Sequence, residues 1–131
     1  MNGYSAREIF QPAELDLLGR VQLAVDLLGS DFDKIRCHEL ARAVGKFFKL
    51  DIVDGYYGIV EHSWCLTPNG HILDPYCVGG MPQVKLVAPV PGCHDLYRTI
   101  QERFPDNERY RSDINEEHIA AALLTFTRGV R

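Results

Sequence analysis

The chain has 131 residues, of which 46% are hydrophobic and 24% charged, a composition that suits one globular domain, 1–131, with a buried core. A net charge of −4 and scattered lysine and arginine residues give no basic stripe for a phosphate backbone, so we expect no nucleic-acid partner. No signal peptide and no apolar run of membrane-spanning length is present, so we expect a cytoplasmic protein without a membrane partner; export by a route that leaves no mark in the sequence is the open alternative. In that compartment the cysteines are expected to be free thiols: Cys37, Cys65, Cys77 and Cys93.

The spacing of apolar residues predicts two helices in the first part of the chain. The first covers residues 12–28, with proline and glutamate suited to its first turn. The polar segment 30–33 interrupts the pattern and offers side chains able to cap the next helix. The second helix is predicted to begin at 34–36 and to end near Phe48, which puts Cys37 in its first turn, on the buried side.

The middle of the chain is predicted to form strands. β-Branched and aromatic residues indicate strands over 50–57 and 58–66, with a turn either at Asp54-Gly55 or at Gly58. The following segment, Thr67-Pro-Asn-Gly-His71, fits a three-residue hairpin loop in which glycine takes the left-handed conformation.

The length of this loop predicts the register of the hairpin. With Thr67 opposite His71, His62 falls opposite Tyr76 and lies diagonal to Asp74 on the same face. A two-residue loop would instead put the histidine and the aspartate on opposite faces. The alternate positions form the other face: Ser63, Cys65, Leu73 and Cys77.

The C-terminal part is predicted to add one edge strand and two helices. Residues 84–87 suit an edge strand, and 89–92 form a proline-rich loop. Apolar spacing predicts a short helix over 96–104. A capping box at 113–116 then predicts the start of a last helix that ends before Gly129. We therefore expect an α+β fold, with the Cys37 helix on a small antiparallel sheet.

The predicted elements place three groups that could act together. A cysteine becomes a nucleophile when its thiolate is stabilised, and both a helix N-terminus and a nearby histidine do this. Cys37 begins a helix, His62 could take and return its proton, and Asp74 could orient the imidazole. Backbone N–H groups at the start of the helix could bind an oxyanion.

Several segments together resemble a known family: Cys37-His-Glu-Leu-Ala41, Val53-Asp-Gly-Tyr-Tyr57, His62-Ser-Trp64 and Ile72-Leu-Asp-Pro75. In chain order and spacing they resemble the core of the transglutaminase-like branch of the papain-like cysteine enzymes, with 25 residues from Cys37 to His62 and 12 from His62 to Asp74. The resemblance covers roughly residues 33–77. It implies a papain-like core in which these three residues are nucleophile, general base and acid, and orienting carboxylate.

The same resemblance implies that Trp64 packs beside the three residues. The glutamine with which papain completes its oxyanion hole has no counterpart, since Asp31 and Asp33 occupy that region. The second oxyanion donor therefore stays unassigned.

Other interpretations of these residues remain open. A lone helical cysteine is more often a buried apolar residue than a nucleophile, and it is the histidine and the aspartate that favour catalysis. Asp54 is a rival for the orienting carboxylate, although Asp54-Gly55 is more economically a turn. No C-x-x-C or H-x-x-x-H pair is present, so we expect neither a metal nor another cofactor. The other histidines are expected to be partly exposed or solvated: His38, His71, His94 and His118.

These inferences predict an enzyme that transfers acyl groups from amides through a thioester on Cys37. The expected substrates are peptide or protein amides, and the expected reactions are peptide or isopeptide hydrolysis and glutamine deamidation, or cross-linking if an amine replaces water. The alternative is a non-catalytic binding module that keeps the transglutaminase-like fold.

Overall fold

The computed structural model describes residues 10–76, 82–88, 94–100 and 114–129. Within them, helices come before and after the strands of an antiparallel sheet, which confirms the predicted α+β class. In chain order the elements are α1 (Pro12–Asp26), a 3₁₀ helix (Gly29–Lys34), α2 (Cys37–Phe48), β1 (Asp51–Tyr57), β2 (Val60–Leu66), β3 (Ile72–Asp74), β4 (Lys85–Val87), β5 (Tyr97–Thr99) and α3 (Glu116–Gly129).

The five strands form one sheet in the order β4-β3-β2-β1-β5. Strand β2 lies at its centre, because it pairs with β1 on one side and with β3 on the other. The predicted edge strand at 84–87 is confirmed as β4. The sheet therefore places the hairpin that carries His62 and Asp74 next to its middle.

The turn between β1 and β2 is at Gly58, which has a φ of +62°, and the alternative at Asp54-Gly55 is wrong. Gly55 lies inside β1, where it pairs with His62 and with Thr99. A Cβ atom there would lie 2.2 Å from the carbonyl oxygen of Arg98. Glycine is thus required because β5 comes too close to β1 for any side chain.

The hydrophobic core lies between α2, the sheet and the two flanking helices. Helix α2 packs against β2 on one side and against α3 on the other. The Sγ of Cys65 in β2 donates a hydrogen bond to the carbonyl oxygen of Ala41 in α2, at 3.3 Å. Leu40, Leu73 and Phe126 are fully buried in the same core. Cys65 and Leu73 therefore form the packed face of the hairpin, as predicted.

The start of α2 differs from the prediction in how it is capped. The polar residues 30–33 lie within the 3₁₀ helix and do not cap α2. The carboxylate of Glu39 instead accepts a hydrogen bond from the backbone N–H of Arg36, at 2.8 Å. This interaction ends the preceding extended segment and makes Cys37 the first residue of the helix.

The C-terminal predictions are partly wrong. Residues 97–99 form β5 and not a helix, because they pair with β1; the rest of that predicted helix, from residue 101, lies outside the described residues. The last helix is confirmed, but its N-terminus is capped by the side chain of Asn115, which accepts the N–H of Glu117 at 2.9 Å. Asp113 of the predicted capping box, the 89–92 loop and Cys77 also lie outside the described residues. Among the helices described, none is long and apolar enough to cross a membrane.

Candidate active site

Cys37 lies at the N-terminus of α2, where the helix presents its positive end. The backbone N–H groups of the first helical turn have no acceptor within the helix, so they favour a negative charge close by. The start of the helix is held in place by Glu39, which is buried and also accepts the N–H of Asn115 at 2.8 Å. The position of the thiol is therefore fixed by contacts within α2 and from the segment before α3.

The hairpin loop has the predicted geometry. The N–H of Thr67 donates to the carbonyl oxygen of His71 at 2.8 Å, and Gly70 has a φ of +82°. The pairing of Cys65 with Leu73 follows from this loop. Because side chains alternate along each strand, the register directs the residues next to this pair to the opposite face of the sheet.

On that opposite face His62 and Asp74 meet as predicted. The Nε2 of His62 lies 2.7 Å from Oδ2 of Asp74, and each residue is 1% exposed. Oδ2 also accepts the hydroxyl of Tyr97 at 2.7 Å, and Oδ1 accepts the N–H of Tyr76 at 3.1 Å. With Nε2–H donated to the carboxylate, Nδ1 is the ring nitrogen of His62 that remains for another partner.

That other partner is the thiol of Cys37, and the structure thus brings all three predicted site residues together. Burial alone would raise the pKa of Cys37, but hydrogen bonds with His38 and His62 and the charges of both imidazoles lower it to about 6. Burial likewise opposes the charged form of His62, yet Asp74 and Cys37 raise its pKa to about 9. Between these two values the site holds a thiolate beside an imidazolium.

His38 is a residue of the site that the sequence did not predict, and the prediction that it is partly exposed is wrong. It is 5% exposed, and its Nδ1 lies 2.6 Å from the hydroxyl of Ser63. That hydroxyl donates to Oδ1 of Asp54 at 2.5 Å, and Arg42 donates to both oxygens of Asp54, at 3.1 and 2.8 Å. Asp54 is therefore neither in a turn nor bonded to His62; it belongs to a second hydrogen-bond network.

Aromatic rings surround the imidazole of His62. The ring centroids of Tyr57, Trp64 and Tyr97 lie 6.2, 6.1 and 6.4 Å from that of His62. Trp64 and Tyr97 also contact each other edge to face, with centroids 5.1 Å apart. These rings exclude water from one side of the His62–Asp74 pair, which strengthens its hydrogen bond.

The other cysteine that the structure describes, Cys65, has a raised pKa where Cys37 has a lowered one. Cys65 is fully buried, and burial together with the negative charge of Asp74 raises its pKa to about 12. It is therefore a thiol at neutral pH and has no nucleophilic form. Of the two described cysteines only Cys37 is activated; Cys77 and Cys93 lie outside the described residues.

His71 and His118 each have a carboxylate partner of their own. His71 is not solvated as predicted: its side chain is 15% exposed and its Nδ1 lies 2.7 Å from the buried carboxylate of Glu14. His118 is a surface residue as predicted, with a side chain 41% exposed and 3.2 Å from Glu39. His94 is half-buried. In the described part of the chain no cluster of three or more histidine, cysteine, aspartate or glutamate side chains has the arrangement of a metal site.

Comparisons with protein-family models, with curated proteins and with solved structures found no match for this chain. The interpretation of the site therefore depends on its own geometry and chemistry.

Proposed function

We propose that the protein is a cysteine enzyme of the transglutaminase-like, papain-like type, which transfers acyl groups from amides through a thioester on Cys37. One observation carries the proposal: the thiol at the start of α2 contacts the imidazole of His62, whose other nitrogen is bonded to the buried carboxylate of Asp74. This order of contacts gives a nucleophile, a proton carrier and an orienting group in one connected unit.

The first half of the reaction forms the thioester. The thiolate of Cys37 attacks the carbonyl carbon of the amide, and the carbonyl oxygen becomes an oxyanion near the free N–H groups of the first turn of α2. His62, protonated on Nδ1, gives this proton to the nitrogen of the leaving amine. The C–N bond breaks, the amine leaves, and the acyl group stays on sulfur.

The second half of the reaction releases the acyl group. Nδ1 of His62, now neutral, takes a proton from water, whose oxygen attacks the thioester carbonyl. The C–S bond breaks, a carboxylic acid leaves, and the thiolate and imidazolium are restored. If the amide is a glutamine side chain, ammonia leaves first and the product is glutamate; if an amine replaces water, the product is a new amide bond.

The experiment begins with an activated ester that any competent thiol nucleophile accepts. 4-Nitrophenyl acetate should release one equivalent of nitrophenol in a fast phase, with one acetyl group found on the peptide that contains Cys37 by mass spectrometry. The fast phase should be absent in Cys37→Ala and unchanged in Cys65→Ala, which removes the inert buried thiol. Labelling at another residue, or a fast phase that survives in Cys37→Ala, would refute the nucleophile assignment.

The amide specificity is then tested with two kinds of substrate. A benzyloxycarbonyl-Gln-Gly dipeptide with hydroxylamine as acceptor reports transfer from a glutamine side chain as a hydroxamate, and a mixture of short peptides reports backbone hydrolysis by mass. Either product, lost in Cys37→Ala and His62→Ala, would support the proposal. An acetylated Cys37 without any amide turnover would favour the binding-module alternative.

A further inference from the structure

The thiol of Cys37 faces two imidazoles, and only one of them belongs to the unit described above. His38 contacts the same thiol and is held by a separate network through Ser63, Asp54 and Arg42. His38 is buried, so both of its ring nitrogens need a partner: Nδ1 has Ser63, and the thiol is a contact that the second nitrogen can make.

The network fixes which nitrogen of His38 carries a proton. A hydroxyl has one proton to donate, and that of Ser63 goes to the carboxylate of Asp54, 2.5 Å away. In the short hydrogen bond of 2.6 Å between His38 and Ser63, the donor must therefore be Nδ1–H of His38 and the acceptor the oxygen of Ser63. Arg42 donates hydrogen bonds from both of its terminal nitrogens to the two oxygens of Asp54. This ion pair favours a carboxylate that accepts the hydrogen bond from Ser63. Nε2 is then the nitrogen of His38 left for the thiol.

The two histidines that contact the sulfur thus hold opposite tautomers. In His62, Nε2–H is donated to Asp74 and Nδ1 is left for Cys37, whereas in His38 the roles of the two nitrogens are reversed. Each free nitrogen can accept the proton of the thiol and, once protonated, donate a hydrogen bond to the thiolate. The charged and titratable groups around His38 are Cys37, Asp54 and Arg42, whose guanidinium also donates to the carbonyl oxygen of His38 at 3.1 Å.

We propose that His38 is a second histidine of the active site, which shares with His62 the stabilisation of the Cys37 thiolate. This inference rests on the proposed function and assigns the two imidazoles different parts in it. When the thioester breaks, His62 carries the proton taken from water, and His38 is the imidazole still directed at the departing sulfur. Once its Nε2 has taken a proton from solvent, His38 donates a hydrogen bond to the leaving thiolate, while His62 transfers protons to and from substrates.

The test measures alkylation of Cys37 by iodoacetamide against pH, with each cysteine followed by peptide mass mapping and Cys65 as the unreactive internal reference. In the wild type the rate should rise with a midpoint at about 6. If the two imidazoles contribute equally, His38→Gln and His62→Ala should each raise this midpoint by about one pH unit. The double variant should raise it to the ordinary value of about 8.5 or above, because the burial that opposes the thiolate remains. Ser63→Ala, which removes the acceptor of Nδ1–H, should shift the midpoint in the same direction by a smaller amount.

The proposal is overturned if His38→Gln keeps the wild-type midpoint, or if His62→Ala alone moves it to that of an ordinary thiol. Thermal unfolding of each variant accompanies the assay; if His38→Gln fails to fold, Ser63→Ala decides, and an unchanged midpoint there overturns the proposal too. Acetylation of Cys37 and turnover of substrate distinguish failure of the His38 proposal from failure of the proposed function, because the proposed function requires both activities in the wild type. His38→Gln should retain both at a reduced rate, whereas His62→Ala should lose turnover.

Discussion

The side chain of Asp74 is expected to affect proton transfer by His62 much more than the reactivity of the Cys37 thiol. The variant Asp74→Asn tests this, because it should reduce turnover far more than alkylation of Cys37. The hydrogen bonds described at this carboxylate, from His62, Tyr97 and the N–H of Tyr76, all come from donors. An asparagine must turn its own NH₂ group towards at least one of them. If it faces His62, Nε2 has to become the acceptor, and the proton moves to Nδ1, the atom that must accept the proton of Cys37.

The expected effect on the thiol can be worked out from the pKa values. At about pH 6 roughly half of Cys37 is thiolate, against roughly 0.3% of a thiol with the ordinary pKa of about 8.5. A more basic thiolate is also a better nucleophile, with a Brønsted coefficient of about 0.45, so the advantage in rate falls to about tenfold. If Asp74→Asn removes the contribution of His62 and leaves that of His38, the midpoint rises by about one unit and the rate at pH 6 falls about twofold.

The effect on turnover should be far larger. Release of the acetyl group after reaction with 4-nitrophenyl acetate requires His62 to take a proton from water, and the wrong tautomer cannot do so. The equivalent change in a Ser-His-Asp triad costs on the order of 10⁴ in turnover, and we expect a loss of roughly 10³ or more here. Steady-state nitrophenol release measures the release of the acetyl group, and the pH profile of alkylation measures the reactivity of the Cys37 thiol.

A matched control removes the same charge elsewhere. Asp51→Asn, at an exposed position in β1, should leave both the alkylation midpoint and the turnover unchanged. Two results would refute the reasoning. In the first, Asp74→Asn unfolds like the wild type but its Cys37 is alkylated as slowly as an ordinary cysteine; in the second, the variant loses no more turnover than alkylation rate.

Two further predictions concern stability. Gly55→Ala should lower the free energy of unfolding by about 1–3 kcal/mol, because its Cβ would meet the backbone carbonyl of Arg98; a denaturation curve like that of the wild type would contradict this. Glu14 is buried: burial alone raises its pKa, but hydrogen bonds from Thr67 and others and the charge of His71 lower it overall. Its stabilising effect is therefore present above the ordinary glutamate pKa and is lost as the pH falls through the lowered one. Glu14→Gln should be less stable by about 1–3 kcal/mol at neutral pH and should approach the wild type in acid.

Local chemistry made the central hairpin predictable. The loop Thr67–His71 has a length and a glycine that together permit one register, and the parity of side chains along a strand then puts His62 and Asp74 on the same face. The position of Cys37 near a helix start was predictable for a similar reason, because a polar break before an amphipathic segment indicates where a helix begins.

The surroundings of these residues were not predictable in the same way. The spacing of apolar residues over 96–104 indicated a helix, yet Tyr97 lies on a strand and donates to Asp74. This strand exists because Gly55, far away in sequence, has no side chain and lets another backbone approach. Pairing between distant segments overrides local propensity, and no local pattern reveals it.

The sequence by itself determined the parts of the site whose geometry depends on neighbouring residues: a helix start close to Cys37 and the register between His62 and Asp74. Only the tertiary structure decided that α2 brings the thiol to His62. It also decided that His38, which was predicted to be partly exposed, is buried against Ser63. The physical reason is that a helix and a sheet each fix the directions of their own side chains, whereas the distance between them is set by the packing of the whole core.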